Sequence, residues 1–399
     1  MSVETPTEPR LAGALPARQI PFARTVIGPE ARSAVQEVLE SGWVTTGRQV
    51  LAFEAELAAH VRASRAVAVS SCTAGIELAL RGLGLAPGSR VLMSTDTFCG
   101  AASAIAHAGL VPVLVDVDPV TALPTATHIR AAVRAAGGVS AMVVVHLGGH
   151  PVDVEAAADA AGLGLDRVIE DAAHALGAEV GPRRVGSISR ATCFSFYATK
   201  NLAIGEGGMV TTDDEELADR LISLRLHGMS KDAWRRYLPG AGWRYDVAED
   251  GLKANLTDVQ AAVGRAQLRR FDADQARRAE VARRYDSQLA GLASISLPPR
   301  PPSGRHAWHL YAVRIRPDYP LGRDALIERL AQLGIGTSVH FIPLHRLTWH
   351  GRTSVLPPDG LPGADEVFDE TLSLPCDQNL TDDDVDDVCA ALWQIGRSR

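Results

Sequence analysis

A single lysine follows an apolar segment and precedes a glycine-rich turn near the middle of the chain. The stretch reads Cys193-Phe-Ser-Phe-Tyr-Ala-Thr-Lys200-Asn-Leu-Ala-Ile-Gly-Glu-Gly-Gly208. In an open α/β sheet, ligands bind at the carboxyl ends of the strands. A lysine there could form a Schiff base with a carbonyl cofactor, provided that its surroundings keep the amine unprotonated. Taken alone, however, the stretch is more often explained by a solvated lysine at a strand end.

An acidic residue closes another apolar segment, which reads Val168-Ile-Glu-Asp171-Ala-Ala-His174. An uncompensated carboxylate at the end of a buried strand is costly, so Asp171 needs a partner. A protonated pyridine nitrogen would suit it, because a pyridinium–aspartate pair makes pyridoxal phosphate an electron sink. His174 lies one helical turn further and could reach the same ring. The alternative for Asp171 is a helix N-cap.

Small and hydroxylated residues lead from a predicted strand into a predicted helix in the stretch Val69-Ser-Ser-Cys-Thr73-Ala-Gly. Free backbone N–H groups at the start of a helix bind phosphate, and capping by Ser71 or Thr73 is compatible with that role. Phe98 follows a further strand and could stack on a flat cofactor, although a core phenylalanine is the commoner explanation. Neither a GxGxxG nor a GxxxxGK[ST] motif is present, which disfavours nicotinamide and P-loop nucleotide sites.

The elements that must position these residues alternate between short apolar strands and alanine-rich helices. Strands that are apolar throughout and separated by helices predict an α/β fold with a mostly parallel sheet covered on both faces. The predicted strands are 66–70, 91–95, 111–116, 142–147, 167–171, 192–196 and 209–212. We expect a flexible arm over residues 1–20, a large cofactor-binding domain over 21–270 and a small α+β domain over 271–399.

Composition excludes several other classes of protein. The 399 residues carry a net charge of −7, which argues against a dedicated nucleic-acid binder. The five cysteines form no CxxC pair, and no apolar stretch is long enough to span a bilayer. The N-terminus lacks the apolar core of a signal peptide, so a cytoplasmic protein is expected. No carboxylate or cysteine completes a metal shell around His306, His309, His340, His345 and His350, so no metal is expected.

Eight motifs in order over about residues 21–392 resemble the DegT-type sugar aminotransferases. This family has the aspartate aminotransferase fold (fold type I) and uses pyridoxal phosphate. The motifs are Ser41-Gly-Trp-Val-Thr-Thr-Gly47, Ser70-Ser-Cys-Thr-Ala-Gly75, Glu170-Asp-Ala-Ala-His-Ala-Leu-Gly177, Phe194-Ser-Phe-Tyr-Ala-Thr-Lys-Asn201, Gly205-Glu-Gly-Gly208, Leu226-His-Gly228, Gly251-Leu-Lys-Ala-Asn-Leu-Thr-Asp-Val-Gln-Ala-Ala262 and Val339-His-Phe-Ile-Pro-Leu-His345.

The resemblance implies a role for each matching residue. Lys200 would hold the cofactor and shuttle the proton, Asp171 would pair with the pyridine nitrogen, and His174 would face the ring hydroxyl. Phe98 would stack on the ring. The phosphate would be bound by Cys72, Thr73 and Ser195, and Lys253 or Asn255 of the partner subunit would complete its site. Cys72 stands where the family frequently has glycine, and Gly-Leu-Lys-Ala-Asn replaces its common Gly-Tyr-Asn-Tyr-Arg.

The resemblance also implies a reaction in two halves, carried out by a homodimer. Glutamate would convert the cofactor to pyridoxamine phosphate, and a nucleotide-linked keto-sugar would then receive the amino group. A dTDP-4-keto-6-deoxyhexose is the preferred acceptor, for deoxyaminosugar and antibiotic biosynthesis. The alternatives are a 3-keto-sugar, a keto-cyclitol, or a regulatory protein that binds the cofactor without turnover. The expected substrate contacts are Glu206, His227, Arg244, His345 and Arg346.

Overall fold

A seven-stranded sheet forms the centre of the first two-thirds of the chain. The computed structural model describes residues 19–230 and 245–397. The strands lie in the order β1-β9-β8-β5-β4-β2-β3, and all run parallel except β9, which is antiparallel to both neighbours. Their bounds are β1 Arg65–Val69, β2 Arg90–Ser94, β3 Val111–Val115, β4 Ala141–Val145, β5 Val168–Asp171, β8 Ala191–Ser195 and β9 Gly208–Thr212. The predicted α/β class and the mostly parallel sheet are confirmed.

Helices cover both faces of this sheet, as expected for strands that are apolar throughout. Along β2, Val91 and Met93 pack into the core on one face, and Leu92 packs into the core on the other. The helices that precede, separate and follow the strands of this sheet are α1 Pro29–Ser41, α2 Arg48–Val61, α3 Cys72–Gly82, α4 Cys99–His107, α5 Ala126–Ala136, α6 Val154–Ala161 and α7 Glu215–Leu224. A short hairpin of β6 Glu179–Val180 and β7 Arg183–Arg184 lies outside the large sheet.

A second, smaller sheet follows one long helix, α8 Asp258–Leu289. Phe271 of α8 packs in a core with the large sheet, whereas Tyr285 packs in the core of the small one. The C-terminal elements are β10 Ile295–Ser296, β11 Tyr311–Ile315, α9 Arg323–Gln332, α10 Thr348–Thr353, α11 Pro362–Glu370, β12 Thr371–Leu374 and α12 Asp382–Gly396. The three strands form an antiparallel sheet in the order β10-β11-β12. The domain boundary between residues 270 and 271 stays a prediction, and it falls inside α8.

The predicted N-terminal arm can be followed only at its last residues. Most of the predicted arm over residues 1–20 lies outside the described residues. Its last residue, Ile20, is buried, and its N–H donates to the carbonyl oxygen of Gly334 at 2.8 Å. Over the part of the chain that the structure describes, no helix combines the length and apolarity needed to cross a membrane.

The strand directions bring one set of loops together. β1, β2, β4, β5 and β8 are parallel, so the segments that follow them meet at the same edge of the sheet. The segment after β8 carries Lys200, and the segment after β5 carries His174. The helix α3 starts just beyond β1 at this edge. The fold therefore places the residues singled out in the sequence around one point.

Candidate active site

A cavity of about 460 Å³ opens at the carboxyl edge of the large sheet. The segments after β1, β2, β5 and β8 line it on one side, and His309, His340 and Phe341 close it on the other. Eight of the residues predicted from the sequence line this cavity: Cys72, Thr73, Phe98, Asp171, His174, Ser195, Lys200 and Glu206. The structure thus brings the predicted amine, acid, phosphate cradle and aromatic ring together.

Lys200 sits in a turn beyond β8, where its N–H donates to the carbonyl oxygen of Tyr197 at 2.9 Å. Desolvation by the surrounding protein lowers the pKa of its ammonium to about 8, although the charge of Asp171 acts in the opposite direction. An amine with this pKa is partly unprotonated near neutral pH. Lys200 therefore has the chemical state that a nucleophilic lysine requires.

Asp171 is the last residue of β5, and its side chain is buried. Its Oδ1 accepts a hydrogen bond from the N–H of Ala173 at 3.0 Å and lies 3.7 Å from Sγ of Cys72. Burial raises the pKa of this carboxyl, while the Ala173 amide and the charge of Lys200 lower it. A buried carboxylate without a bound cation is costly, so a protonated ring nitrogen is a suitable partner.

His174 packs three residues beyond Asp171 with its ring buried. Its Nδ1 accepts a hydrogen bond from the N–H of Gly148 at 3.1 Å. Burial lowers the pKa of this imidazole well below its usual value, and the charge of Lys200 lowers it further. The ring is therefore neutral at neutral pH and carries its single proton on Nε2.

The start of α3 offers unused backbone donors to the cavity. Ser71 caps the helix by accepting a hydrogen bond from the N–H of Ala74 at 3.1 Å. The N–H groups of Cys72 and Thr73 have no acceptor among the described residues. A Cβ at Gly208 would lie 2.7 Å from the backbone nitrogen of Cys72, so only glycine lets β9 approach this turn. The arrangement is typical of an anion site at a helix N-terminus.

Two further predicted residues lie at the mouth of the cavity. The side chain of Phe98 is 59% exposed in the single chain, and its ring centroid lies 5.8 Å from that of Phe341. An exposed phenylalanine on a cavity wall is available to stack on a planar ligand. Glu206 is exposed, and its carbonyl oxygen accepts a hydrogen bond from Nε2 of Gln260 at 2.8 Å.

Lys253 and Asn255 do not reach the cavity of their own chain. Nζ of Lys253 donates to Oδ1 of Asn255, and Nδ2 of Asn255 donates to Oγ1 of Thr46 at 2.7 Å. The segment runs beside β1, where Asn255 pairs with Val69 through backbone hydrogen bonds. Their predicted role in a partner subunit's site stays a prediction.

Three predicted substrate contacts are placed away from the cavity, and Arg244 lies outside the described residues. His345 contacts Asp365 through Nε2 at 2.9 Å and Thr95 through Nδ1 at 2.9 Å. The guanidinium of Arg346 is bound by Asp365 at 2.5 Å and by Asp369 at 3.1 Å, so it is already neutralised. His227 is exposed on the turn after α7.

Comparison with known proteins identifies the family. The model of the DegT/DnrJ/EryC1/StrS aminotransferase family matches residues 25–393. The chain belongs to this family. It is 45% identical to the spore coat polysaccharide biosynthesis protein SpsC of Bacillus subtilis over 94% of this chain and 97% of SpsC. The family resemblance, the fold type I architecture and the assignment as a sugar aminotransferase are confirmed.

Solved structures of aminotransferases share the fold. TlmJ of Streptoalloteichus hindustanus, an aminotransferase, is 35% identical with a TM-score of 0.82, over 94% of this chain and 97% of TlmJ. Spr1654 of Streptococcus pneumoniae, assigned as a sugar aminotransferase, has a TM-score of 0.87 in its PMP form at 30% identity, over 94% of this chain and 99% of Spr1654. A PLP form of Spr1654 matches equally well, with a TM-score of 0.86. These matches support pyridoxal phosphate as the predicted cofactor.

The residues of this aminotransferase fit that cofactor. The unused N–H groups of Cys72 and Thr73 suit its phosphate, and the buried carboxyl of Asp171 suits a protonated ring nitrogen. A Cβ at Gly100 would lie 2.6 Å from Oγ1 of Thr73, so the starts of α3 and α4 meet at the cavity. Lys200 supplies the amine for the aldehyde carbon.

The cavity of the aminotransferase also contains residues that the sequence did not single out as site residues. His309, His340 and His146 line this cavity together with Lys200. Nε2 of His146 lies 2.8 Å from Oε2 of Glu170, and both side chains are fully buried. Burial and the charge of Lys200 lower the pKa of His340 to about 4. His309 and His340 belong to the histidines that the sequence suggested only as candidate metal ligands, and His146 lies outside that group.

Proposed function

We propose that this aminotransferase transfers an amino group from glutamate to a nucleotide-linked 4-keto-6-deoxyhexose, with dTDP as the preferred nucleotide. The observation that supports amino transfer most directly is Lys200, whose pKa is lowered to about 8 within one cavity that also holds Asp171 and His174. A lysine of this kind alternates between a covalent bond to a carbonyl carbon and a free amine.

Each cavity residue has a defined task in this proposal. Pyridoxal phosphate supplies the electron sink when it is bound. The carboxylate of Asp171 holds a proton on the ring nitrogen, and Nε2–H of His174 donates to the ring hydroxyl. The N–H groups of Cys72 and Thr73 bind the phosphate, together with the hydroxyl of Ser195. Phe98 stacks on the ring.

Lys200 moves the proton in each half of the reaction. Its free Nζ would remove the proton from the amino-bearing carbon of glutamate and would deliver it to the former aldehyde carbon, C4′, of the cofactor. In the second half, the direction reverses and the keto carbon of the sugar becomes the amino-bearing carbon. A pKa of about 8 suits both directions, because the amine can give up and accept a proton near neutral pH.

The active unit in this proposal is a homodimer with shared sites. Lys253 and Asn255 lie on an exposed or half-buried segment outside their own cavity. We assign one of them to the phosphate of the partner subunit. Glu206, at the cavity mouth, is assigned to the substrate. Among possible pathways, similarity to SpsC favours an amino sugar for a surface polysaccharide over one for an antibiotic.

The test is an absorption spectrum of the protein loaded with pyridoxal phosphate, before and after glutamate is added. We expect the band of the lysine-bound cofactor to disappear as the pyridoxamine form accumulates. Lys200→Ala should lack that band, and Lys200→Arg should keep the positive charge but not restore it. Nucleotide-linked keto-sugars are then added, and NMR of the product locates the new amine at carbon 3 or carbon 4. A spectrum that responds to no amino donor would sink the proposal.

A further inference from the structure

A chain of buried amide groups runs behind the cavity and ends on the ring of His309. Nδ1 of His309 lies 3.1 Å from Oδ1 of Asn201. Nδ2 of Asn201 lies 3.0 Å from Oε1 of Gln275 and 2.7 Å from the carbonyl oxygen of Ala307. Nε2 of Gln275 donates to the same carbonyl at 2.6 Å. The three side chains are buried, so water does not compete for these bonds.

The donors and acceptors of this chain can be assigned in one way. The carbonyl oxygen of Ala307 only accepts, so the atoms of Asn201 and Gln275 that approach it are their NH₂ groups. The oxygen of Asn201 therefore faces His309, and an amide oxygen also only accepts. It follows that Nδ1 of His309 carries a proton.

The ring of His309 carries only that one proton. Burial lowers its pKa well below the usual value, and the charges that act on it, from His174, Lys200, Arg278 and His340, lower it further. These are the charged and titratable groups that face it among the described residues, and all of them are cationic when charged. Nε2 of His309 is therefore unprotonated and carries a lone pair. No described residue donates a hydrogen bond to it.

The neighbouring histidine has the opposite proton arrangement. His174 accepts from Gly148 with Nδ1 and so carries its proton on Nε2. The ring centroids of His174 and His309 lie 4.3 Å apart at an interplanar angle of 36°, and both rings line the cavity. The pair therefore offers one fixed donor and one fixed acceptor.

We propose that Asn201, supported by Gln275, is a positioning residue that fixes His309 in the Nδ1–H tautomer. Nε2 of His309 then acts as a permanent hydrogen-bond acceptor on the cavity wall, beside Lys200. Nε2 of His309 accepts a hydrogen bond from a substrate. The donor is either a sugar hydroxyl or the ammonium group of the amino donor. This assignment depends on the proposed function only for the identity of that substrate.

The first test is NMR of the full-length protein without cofactor, with ¹⁵N-labelled histidine. We expect His309 to show a protonated Nδ1 and an unprotonated Nε2, and its signals are assigned by their loss in His309→Gln. Asn201→Leu removes the acceptor and should let the two tautomers exchange. Asn201→Asp keeps an acceptor, so it should retain the Nδ1–H tautomer and shift the titration of His309 to higher pH. This shift also assigns the signals if His309→Gln does not fold.

The second test is steady-state kinetics, which separates the two possible donors. Asn201→Leu should raise the KM of one substrate about two- to fivefold, because an exchanging ring presents the Nε2 lone pair of His309 only part of the time. A rise for glutamate indicates the ammonium group, and a rise for the sugar nucleotide indicates a hydroxyl. Asn201→Asp keeps an acceptor for the Nδ1–H of His309 but loses the donor to the carbonyl oxygen of Ala307, so it should restore only part of the loss. Thr211→Val is the matched control, because it also removes a buried side-chain hydrogen bond but does so on another part of the sheet. Oγ1 of Thr211 donates to the carbonyl oxygen of Gly186 at 2.8 Å.

Two outcomes would overturn the proposal. One is an Nε2–H or exchanging His309 in the unaltered protein. The other is an Asn201→Leu protein with unchanged tautomer and KM values. Failure of the proposed function looks different, because a protein that ignores every amino donor can still show the fixed tautomer in the absence of cofactor.

Discussion

At the scale of single residues, two opposing electrostatic effects set the protonation of Lys200. Burial disfavours the ammonium and lowers its pKa to about 8, while the carboxylate of Asp171 favours the ammonium. The same carboxylate is assigned to the ring nitrogen of the cofactor, so its charge affects both that nitrogen and the pKa of Lys200. The balance makes the amine reactive near neutral pH without leaving it permanently unprotonated.

This balance predicts how Lys200 reacts with a carbonyl compound in the protein without cofactor. Only the free amine reacts, so the rate should rise with pH through a midpoint near 8 and level off above it. Asp171→Asn removes a charge that raises the pKa of Lys200 and should therefore move the midpoint to lower pH. Rates are measured by stopped-flow absorbance after addition of pyridoxal phosphate, with Lys200→Ala as background.

The control for this measurement is Asp153→Asn, which removes a carboxylate at the start of α6. It should leave the midpoint unchanged, because Asp153 is not among the groups that act on Lys200. A midpoint near 10 in the unaltered protein, or one that Asp171→Asn does not lower, would contradict the electrostatic account.

Cys72 is a second residue whose effect can be measured alone. Its Sγ lies 3.3 Å from the carbonyl oxygen of Cys193 and 3.7 Å from Oδ1 of Asp171, and burial raises the pKa of the thiol well above its usual value. The thiol is therefore a weak donor that helps to hold Asp171. Cys72→Ala should weaken pyridoxal phosphate binding about two- to fivefold, as expected for the loss of a weak hydrogen bond.

The measurement is an equilibrium titration of the protein without cofactor, followed by fluorescence. Cys72→Ser supplies a stronger hydroxyl donor and should bind at least as tightly as the unaltered protein. Cys389→Ala serves as control, since Cys389 is buried in the core around α12. Equal affinity of Cys72→Ala and the unaltered protein would show that the thiol has no part in holding Asp171.

At the scale of elements, the sequence predicted the strands well because each is a short apolar run between helices. The structure places all seven within about two residues of their predicted ends. Lys200, Asp171 and Thr73 were found for the same reason, since each follows a strand whose direction the α/β pattern fixes. The same reasoning could not predict that His309 lines the cavity whereas His345 does not. Their placement depends on long-range contacts, with Asn201 for His309 and with Asp365 for His345.

The N-cap of α3 allows helix stability and ligand binding to be measured separately. Ser71→Ala removes the cap and should lower the free energy of unfolding by about 1 kcal/mol. Because the cap also orders the free N–H groups of Cys72 and Thr73, the variant should bind inorganic phosphate and pyridoxal phosphate more weakly. Urea unfolding and an equilibrium titration measure the two effects.

Thr125 provides a matched control, since it caps α5 with its Oγ1 and lies outside the cavity. Thr125→Ala should lower the free energy of unfolding by a similar amount, about 1 kcal/mol, without changing the affinity for pyridoxal phosphate. If both variants lose affinity equally, the loss reflects general destabilisation and the helix start has no special role.

At the scale of the whole molecule, the single chain leaves apolar surface exposed beside its active site. Phe98 and Tyr197 both line the cavity, yet they are 59% and 47% exposed, and the nearby segment contributes Ile342 at 49%. Large exposed apolar side chains that lie together indicate an interaction surface. A second copy of the chain would cover such a surface and could bring Lys253 and Asn255 to the phosphate.

A shared site predicts that two inactive variants complement each other. Lys200→Ala removes the amine, and the double variant Lys253→Ala/Asn255→Ala removes the groups assigned to the partner's phosphate. A mixed dimer then contains one site with both defects and one intact site. With random pairing, half of the dimers are mixed and half of their sites are intact, so the mixture should recover about a quarter of the activity of the unaltered protein.

The measurement is glutamate-dependent turnover after the two variants are mixed, unfolded and refolded together, compared with the sum of the variants refolded separately. Unaltered protein taken through the same procedure sets the scale. If Lys253 and Asn255 served the cavity of their own chain, every mixed dimer would have one site without the amine and one without the phosphate contacts. Activity would then stay at the sum of the parents, and the segment around Asn255 would have to be assigned to the stability of its own chain, where it already pairs with β1.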